Sequence, residues 1–213
     1  IPNGVELSSA TARIGRGEAV GATEPRKALF ISRIHPIKNL LNLLDAWASL
    51  NPSDWLLQFA GPDEGGHLSE VRQRISALGI QDRVQYLGSI GDDHKRAVYG
   101  AADVFILPSF TDNFGVVVAE ALSHSLPVLA TKGTPWQGLD QHGGGGWVEP
   151  TVEGWTAALR DAVAKEPFQL REMGMRGRVY AAEFEWANIA RQTVDVYRWI
   201  LGQGDQPPCV FLD

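Results

Sequence analysis

From residue 26 onward, short apolar runs alternate with longer stretches whose apolar residues recur every third or fourth position. "KALFISRI" at 27–34 is an apolar run bounded by charge and predicts a buried strand. "NLLNLLDAWASL" at 39–50 follows with apolar residues at 40, 41, 43, 44, 47 and 50, which is helical spacing. "WLLQFAG" ends on Gly61 and predicts a second strand. "LSEVRQRISALG" places Leu68, Val71, Ile75 and Leu78 on one helical face and stops at Gly79. "VQYLG", "DVFILP", "LPVLATKG" and the short "GGWVEP" predict four further strands. The helices "DHKRAVYGAA" and "FGVVVAEALSH" fall between them. Three helical stretches close the chain: "VEGWTAALRDAVAK", "QLREMGMRGRVYAAE" and "WANIARQTVDVYRWIL".

Nearly all-apolar strands that alternate with helices specify a parallel sheet covered on both faces. The fold class is α/β: a Rossmann-like three-layer α/β/α sandwich with a parallel sheet of about six strands. The folded unit spans 28–201. Residues 1–27, small, polar and Gly-rich from Ser8, read as an irregular N-terminal segment or linker, and 202–213 as an irregular tail. The chain opens on Ile-Pro-Asn-Gly with no Met and reads as the interior of a longer or processed chain.

Composition narrows the function. The formal net charge is −6 and no basic block stands out, which argues against a nucleic-acid partner. Cys209 is the single cysteine, so an intrachain disulfide framework is excluded and a reducing compartment is expected. The five histidines show no metal-ligand spacing. No transmembrane-length apolar run or signal-peptide pattern is present.

In an open parallel sheet, ligands bind at the carboxyl edge of the strands. Two loops carry polar residues there: "RIHPIK" after the first strand and "SFTDNFG" after the fourth. Lys38 stands at the start of the next helix, where a cation opposes the macrodipole. An anion bound between Lys38 and a helix end would explain it; a solvated lysine would also fit. Asp112 lies in a loop, and Glu120 sits eight residues later amid Val and Ala. Helical side chains lean toward the N-terminus, so Glu120 can face the same mouth as Asp112. A turn acid and a wet-face acid are the plain alternative. With Arg33, Lys38 and the first-turn amides of Gly115, Val116 and Val117, the two acids form a set suited to a diphosphate joined to sugar hydroxyls. "GGGG" at 143–146 reads as a turn into the last strand, since it lacks the strand-then-helix context of a dinucleotide loop. The Trp residues of the last helices read as core or as a docking face.

On "IPNGV", "SRIHPIKNLLNLLDAWASL", "LQFAGPDEGGHLSEVRQRISALGIQDRVQYLGSI", "AADVFILPSFTDNFGVVVAEALSHSLPVLATKGTPW" and "FEWANIARQTVDVYRWIL", in that order, the chain resembles the C-terminal, donor-binding domain of retaining GT-B glycosyltransferases of family 4, the glycosyl transferases group 1. The resemblance implies one half of a GT-B fold. It also implies that Arg33 and Lys38 bind the donor diphosphate and that Glu120 holds the ribose hydroxyls. Asp112, with the backbone of Asn113, Phe114 and Gly115, would face the transferred sugar, and Leu87 and Gly88 would lie near the base. No metal or cofactor is implied, the donor being a nucleoside-diphosphate sugar. The implied partners are an N-terminal acceptor domain and an acceptor glycan or lipid-linked glycan. The implied setting is lipopolysaccharide, exopolysaccharide or other glycoconjugate synthesis, in the cytoplasm or peripherally at the inner face of the membrane. Two positions depart from the family pattern: Asp112 stands where Glu is usual, and His124-Ser125 stand where a small pair precedes Pro127. A nucleotide-sugar epimerase or phosphorylase half and a non-catalytic nucleotide-binding module are the rival readings. An oxidoreductase is disfavoured because no strand leads into G-x-G-x-x-G.

Overall fold

The computed structural model describes residues 1–7 and 24–211. Most of the expected irregular stretch 8–27 therefore lies outside the described residues. Six strands form one parallel sheet: β1 (Arg26–Ile31), β2 (Trp55–Ala60), β3 (Val84–Tyr86), β4 (Val104–Leu107), β5 (Val128–Thr131) and β6 (Gly145–Val148). Their order is β3-β2-β1-β4-β5-β6. The chain builds outward from β1 to β3, crosses back to lay β4 beside β1, and builds outward again. Between β1 and β4 the winding reverses, and a crevice opens there at the carboxyl edge.

The helices are α1 (Leu40–Leu50), α2 (His67–Leu78), α3 (Asp92–Ala101), α4 (Val116–Ser123), α5 (Gly138–Gln141), α6 (Val152–Val163), α7 (Pro167–Ala181) and α8 (Trp186–Ile200). α1 packs on α2 and α6, and α4 packs on α7, giving the two outer layers. β4 and β5 are buried at every position, as strands covered on both faces must be. Trp47, Trp55, Trp136 and Trp155 are fully buried, so the tryptophan of α6 is core, whereas Trp186 on α8 is 60% exposed.

Three local expectations change. Lys38 is not on α1: it ends a one-turn 3₁₀ segment, Pro36–Lys38, and Asn39 at φ 56° separates it from the helix. Pro36 presets the turn and Asn39 tolerates the left-handed region, so the chain bends before α1 begins. The first strand stops at Ile31, and Ile34 bridges to Asp63 in the loop after β2. α5, a single turn, gave no periodicity to read. The glycine run does turn into β6, and a Cβ on Gly144 would stand 2.6 Å from Gly177 of α7. The run is thus a packing device that lets α7 close on the sheet edge. At the other end, Val5 is buried and its N–H donates to the Phe184 carbonyl at 2.8 Å, pinning residues 1–7 to the turn before α8.

Candidate functional site

Backbone hydrogen bonds tie the loops at the carboxyl edge together in strand order. Gly61 N–H donates to Gly88 O at 2.9 Å, Ile34 N–H to Pro62 O at 2.8 Å, Phe110 N–H to Ile37 O at 2.9 Å and Asp112 N–H to Gly133 O at 3.1 Å. Five consecutive strands thus present one continuous rim. Gly133 is required at its place, because a Cβ there would lie on the Phe110 carbonyl.

At the crevice between β1 and β4, Lys38 Nζ donates to Asp112 Oδ2 at 2.6 Å. Their side chains are only 9% and 17% exposed, so the solvated-lysine alternative falls. Desolvating two charges is expensive, and their attraction offsets it only with good geometry and further polar partners. Asp112 Cγ lies 3.7 Å from where a Cβ on Gly115 would sit, which sets the acid beside the start of α4. Gly115 is the N-cap of α4 at φ 71°, and having no side chain it leaves the first-turn N–H groups uncapped from there. Trp136, which sequence reasoning did not single out, donates its indole N–H to the Phe114 carbonyl. Its ring packs on Phe114 and Phe184, with both centroids 5.1 Å away. The Phe114 ring and carbonyl therefore belong to the fold, and its expected role facing a sugar narrows to its N–H. Asn113 beside it is exposed.

Arg33 does not cross the crevice. It forms a two-point ion pair with Glu64, at 2.8 and 2.6 Å, from the loop after β2. Both side chains are about half exposed, at 57% and 45%, and such pairs contribute about 0.2–1 kcal/mol, so an incoming anion can displace Glu64 at little expense. Leu87 N–H donates to Phe59 O at 2.9 Å, and the Gly88 carbonyl is taken by Gly61. Among the described residues, the Leu87 carbonyl and the Gly88 N–H are the groups of that pair with no backbone partner.

Glu120 has partners other than the Lys38–Asp112 pair. It lines a groove of about 480 Å³ with Lys95 and Tyr99 of α3, Val116 of α4, Val5 and Trp186, whereas Arg33, Lys38 and Asp112 do not line it. Tyr99 Oη donates to Glu120 Oε2 at 2.8 Å, and Lys95 Nζ lies 3.6 Å from Oε1. Burial raises the Tyr99 phenol well above its ordinary range; the charge of Glu120 and the hydrogen bond to it add to the shift. The two acids that the sequence pointed toward one mouth thus have different side-chain partners, Lys38 for Asp112 and Tyr99 with Lys95 for Glu120. Val116 borders the groove, and the Val117 carbonyl lies 3.4 Å from Tyr99 Oη. Among the described residues, no three His, Cys, Asp or Glu side chains are grouped to hold a metal ion. No helix among them is long and apolar enough to cross a membrane.

Residues 16–178 match the family model described as glycosyl transferases group 1. The chain belongs to that family. It is 32% identical to a D-inositol 3-phosphate glycosyltransferase of Nocardia farcinica over 92% of its own length and 46% of that protein. Its fold superposes on a sucrose-phosphate synthase of Thermosynechococcus elongatus with TM-score 0.79 and 27% identity, over 96% of this chain and 53% of that one. The Anabaena protein HepE, solved with UDP and glucose, shares the fold with TM-score 0.72 and 23% identity, over 83% and 49%. The chain thus spans about half the length of the relatives it matches. In this family member, Tyr99, Lys95, Glu64 and Trp136 are the site neighbours that the sequence reading passed over. An order of strands that brings the α3–β4 turn beside α4 could have drawn attention to Tyr99; nothing local distinguishes Glu64 from any other loop acid.

Proposed function

We propose that this chain is the nucleotide-sugar-binding half of a glycosyltransferase that moves a sugar, with retention, from a nucleoside diphosphate to an acceptor hydroxyl. The observation that carries the reading is a nearly buried Lys38–Asp112 pair beside the glycine-capped start of α4, at the crevice where the winding reverses. Lys38, Arg33 and the first-turn amides of α4 would receive the diphosphate. Asp112 and the loop N–H groups would face the sugar. Glu120 in its groove would accept from the ribose diol. In the reaction, the bond from the sugar carbon to the phosphate oxygen breaks and the acceptor oxygen bonds on the same face. The acceptor proton passes to the departing phosphate oxygen. The protein's share is stabilisation of the charge on the leaving diphosphate, supplied by fixed cations and amides without a resident metal. The acceptor would be held by the half of the enzyme corresponding to the remaining length of the relatives; the D-inositol 3-phosphate named for one relative marks a hydroxylated, phosphorylated acceptor as a first candidate.

Calorimetry with UDP, GDP and ADP and their glucose or mannose conjugates tests this. One diphosphate series should bind, and Lys38→Ala should weaken it about 10–100-fold, the equivalent of one charge-assisted hydrogen bond of about 1.5–3 kcal/mol. Unchanged affinity in folded Lys38→Ala, or no binding by any diphosphate, removes the reading. A non-catalytic module would bind the diphosphates yet support no transfer when joined to its other half.

A further inference from the structure

Tyr99 and Glu120 form a connected pair whose geometry exceeds what the proposed diol contact alone requires. Tyr99 is 1% exposed, and its ring is held between Phe105, with centroids 5.8 Å apart, and the stacked ring of His124 at 5.1 Å. His124 is itself tied down, its Nδ1 lying 2.8 Å from the Glu120 carbonyl. The phenol has one proton to give, and two acceptors lie within reach: Glu120 Oε2 at 2.8 Å and the Val117 carbonyl at 3.4 Å. The shorter and charged acceptor takes it. Among the described residues, the partner of the other carboxylate oxygen, Oε1, is the ammonium of Lys95 at 3.6 Å, and that ammonium is nearer to Asp92 Oδ1 at 3.2 Å. One oxygen of Glu120 is thus anchored to a packed core ring, the other has a looser contact, and the residue lines the groove.

We infer that Tyr99 is a positioning residue for sugar-diol recognition: its hydroxyl locks Glu120 Oε2 so that Oε1 meets two adjacent hydroxyls of a nucleotide ribose at once. The inference rests on the reading of Glu120 as the ribose acceptor. A glutamate free to rotate can follow a ribose missing one hydroxyl, whereas an anchored one cannot. Anchoring therefore shows in discrimination between ribo- and deoxyribo-ligands, more than in affinity for either.

The experiment compares the affinity of whichever of UDP, GDP or ADP binds the chain with that of its 2′-deoxy form, in the wild type, Tyr99→Phe and Glu120→Gln. Tyr99→Phe keeps the ring stack and removes only the hydroxyl. The expected result is a ribo-to-deoxy affinity ratio lowered about 5–10-fold in Tyr99→Phe, less than the full effect of a lost hydrogen bond to a charged group because Tyr99 acts through Glu120, and lowered at least as far in Glu120→Gln. A ratio unchanged in Tyr99→Phe but lost in Glu120→Gln overturns the positioning role and leaves Glu120 as the diol acceptor. Unchanged ratios in both variants overturn the Glu120 reading itself, as does a chain that binds no diphosphate. A fluorine label on the tyrosine rings gives a readout that needs no folded variant at position 99. The Tyr99 resonance, assigned by Phe replacement of Tyr86, Tyr180 and Tyr197, should shift with the ribonucleotide and much less with the 2′-deoxy form. Equal shifts overturn the proposal.

Discussion

Asp112→Asn should tighten nucleoside-diphosphate binding while destabilising the fold. The Lys38 ammonium is paired with Asp112, 2.6 Å away. A diphosphate reaching Lys38 must approach this carboxylate as well. For unit charges about 5 Å apart the repulsion is about 1–3 kcal/mol at effective dielectrics between that of water and about 20. Lys38 lies 2.6 Å from Asp112 and partly neutralises its charge, so the lower half of that range applies. Asn is isosteric, and its amide oxygen can still accept from Nζ, so Lys38 stays in place while the opposing charge goes. The expected gain is about 1 kcal/mol, or about fivefold in affinity. Stability should fall by about 1–2 kcal/mol, because an ionised acceptor becomes a neutral one beside a nearly buried ammonium. In a domain of this size that is a drop in Tm of roughly 2–8 °C.

Calorimetry with a nucleoside diphosphate at two salt concentrations, alongside thermal melts, reads both effects. The gain should shrink in high salt and vanish when Lys38→Ala is added, because Asp112 would then have no cation to neutralise. If Asp112→Asn weakens the sugar-free diphosphate, the carboxylate is orienting Lys38 rather than competing with the phosphates, and the electrostatic reasoning is refuted.

Gly133→Ala should disturb the rim without touching a polar side chain. Its Cβ would lie on the Phe110 carbonyl, so the loop carrying Asp112 must shift, with an expected loss of about 1–3 kcal/mol in urea unfolding and weakened diphosphate binding; wild-type values for both would show that the loop yields freely. Tyr99 makes a pH prediction. Its folded phenol titrates well above the unfolded value of about 10, so the folded state holds the extra proton between the two. The stability this represents is complete below about pH 10 and is lost as pH rises toward the folded value. Tyr180 is shifted in the same direction by burial and by Glu183, so only the difference between wild type and Tyr99→Phe isolates the effect. Urea unfolding from pH 9 to pH 11 should lose stability less steeply in Tyr99→Phe, and equal slopes would count against the burial-driven shift.

The succession of strands and helices was legible, though not their order in the sheet, because each buried strand of a parallel sheet is a short apolar run, and each covering helix repeats at three and four. β4 and β5 announce themselves in this way. α5 does not, because one turn has no period, and its four residues form a helix only where the chain must turn beneath Tyr180. The ending of β1 at Ile31 was hidden for another reason: Ser32 and Arg33 leave the ladder because the loop after β2 offers Ile34 a partner, and that loop is more than 25 residues away in sequence.

The site was legible to the same limit. Sequence placed Lys38 and Asp112 on loops at one sheet edge, but their contact depends on β4 lying beside β1, which is a property of the crossover. Nothing in "TDNFGVVVAE" tells that the two acids take different partners. The loop brings Asp112 to Lys38, whereas one turn into α4 Glu120 meets α3, where Tyr99 and Lys95 are set by a helix more than 20 residues upstream. An acid in an apolar run is tolerable only with a partner. Sequence alone pointed to a ligand as that partner, yet the protein already supplies one in the Tyr99 hydroxyl. A carboxylate accepts at about four positions, and one phenol occupies one of them. Glu120 is therefore paired well enough to stand half-buried beside the apolar run, and unpaired enough to bind.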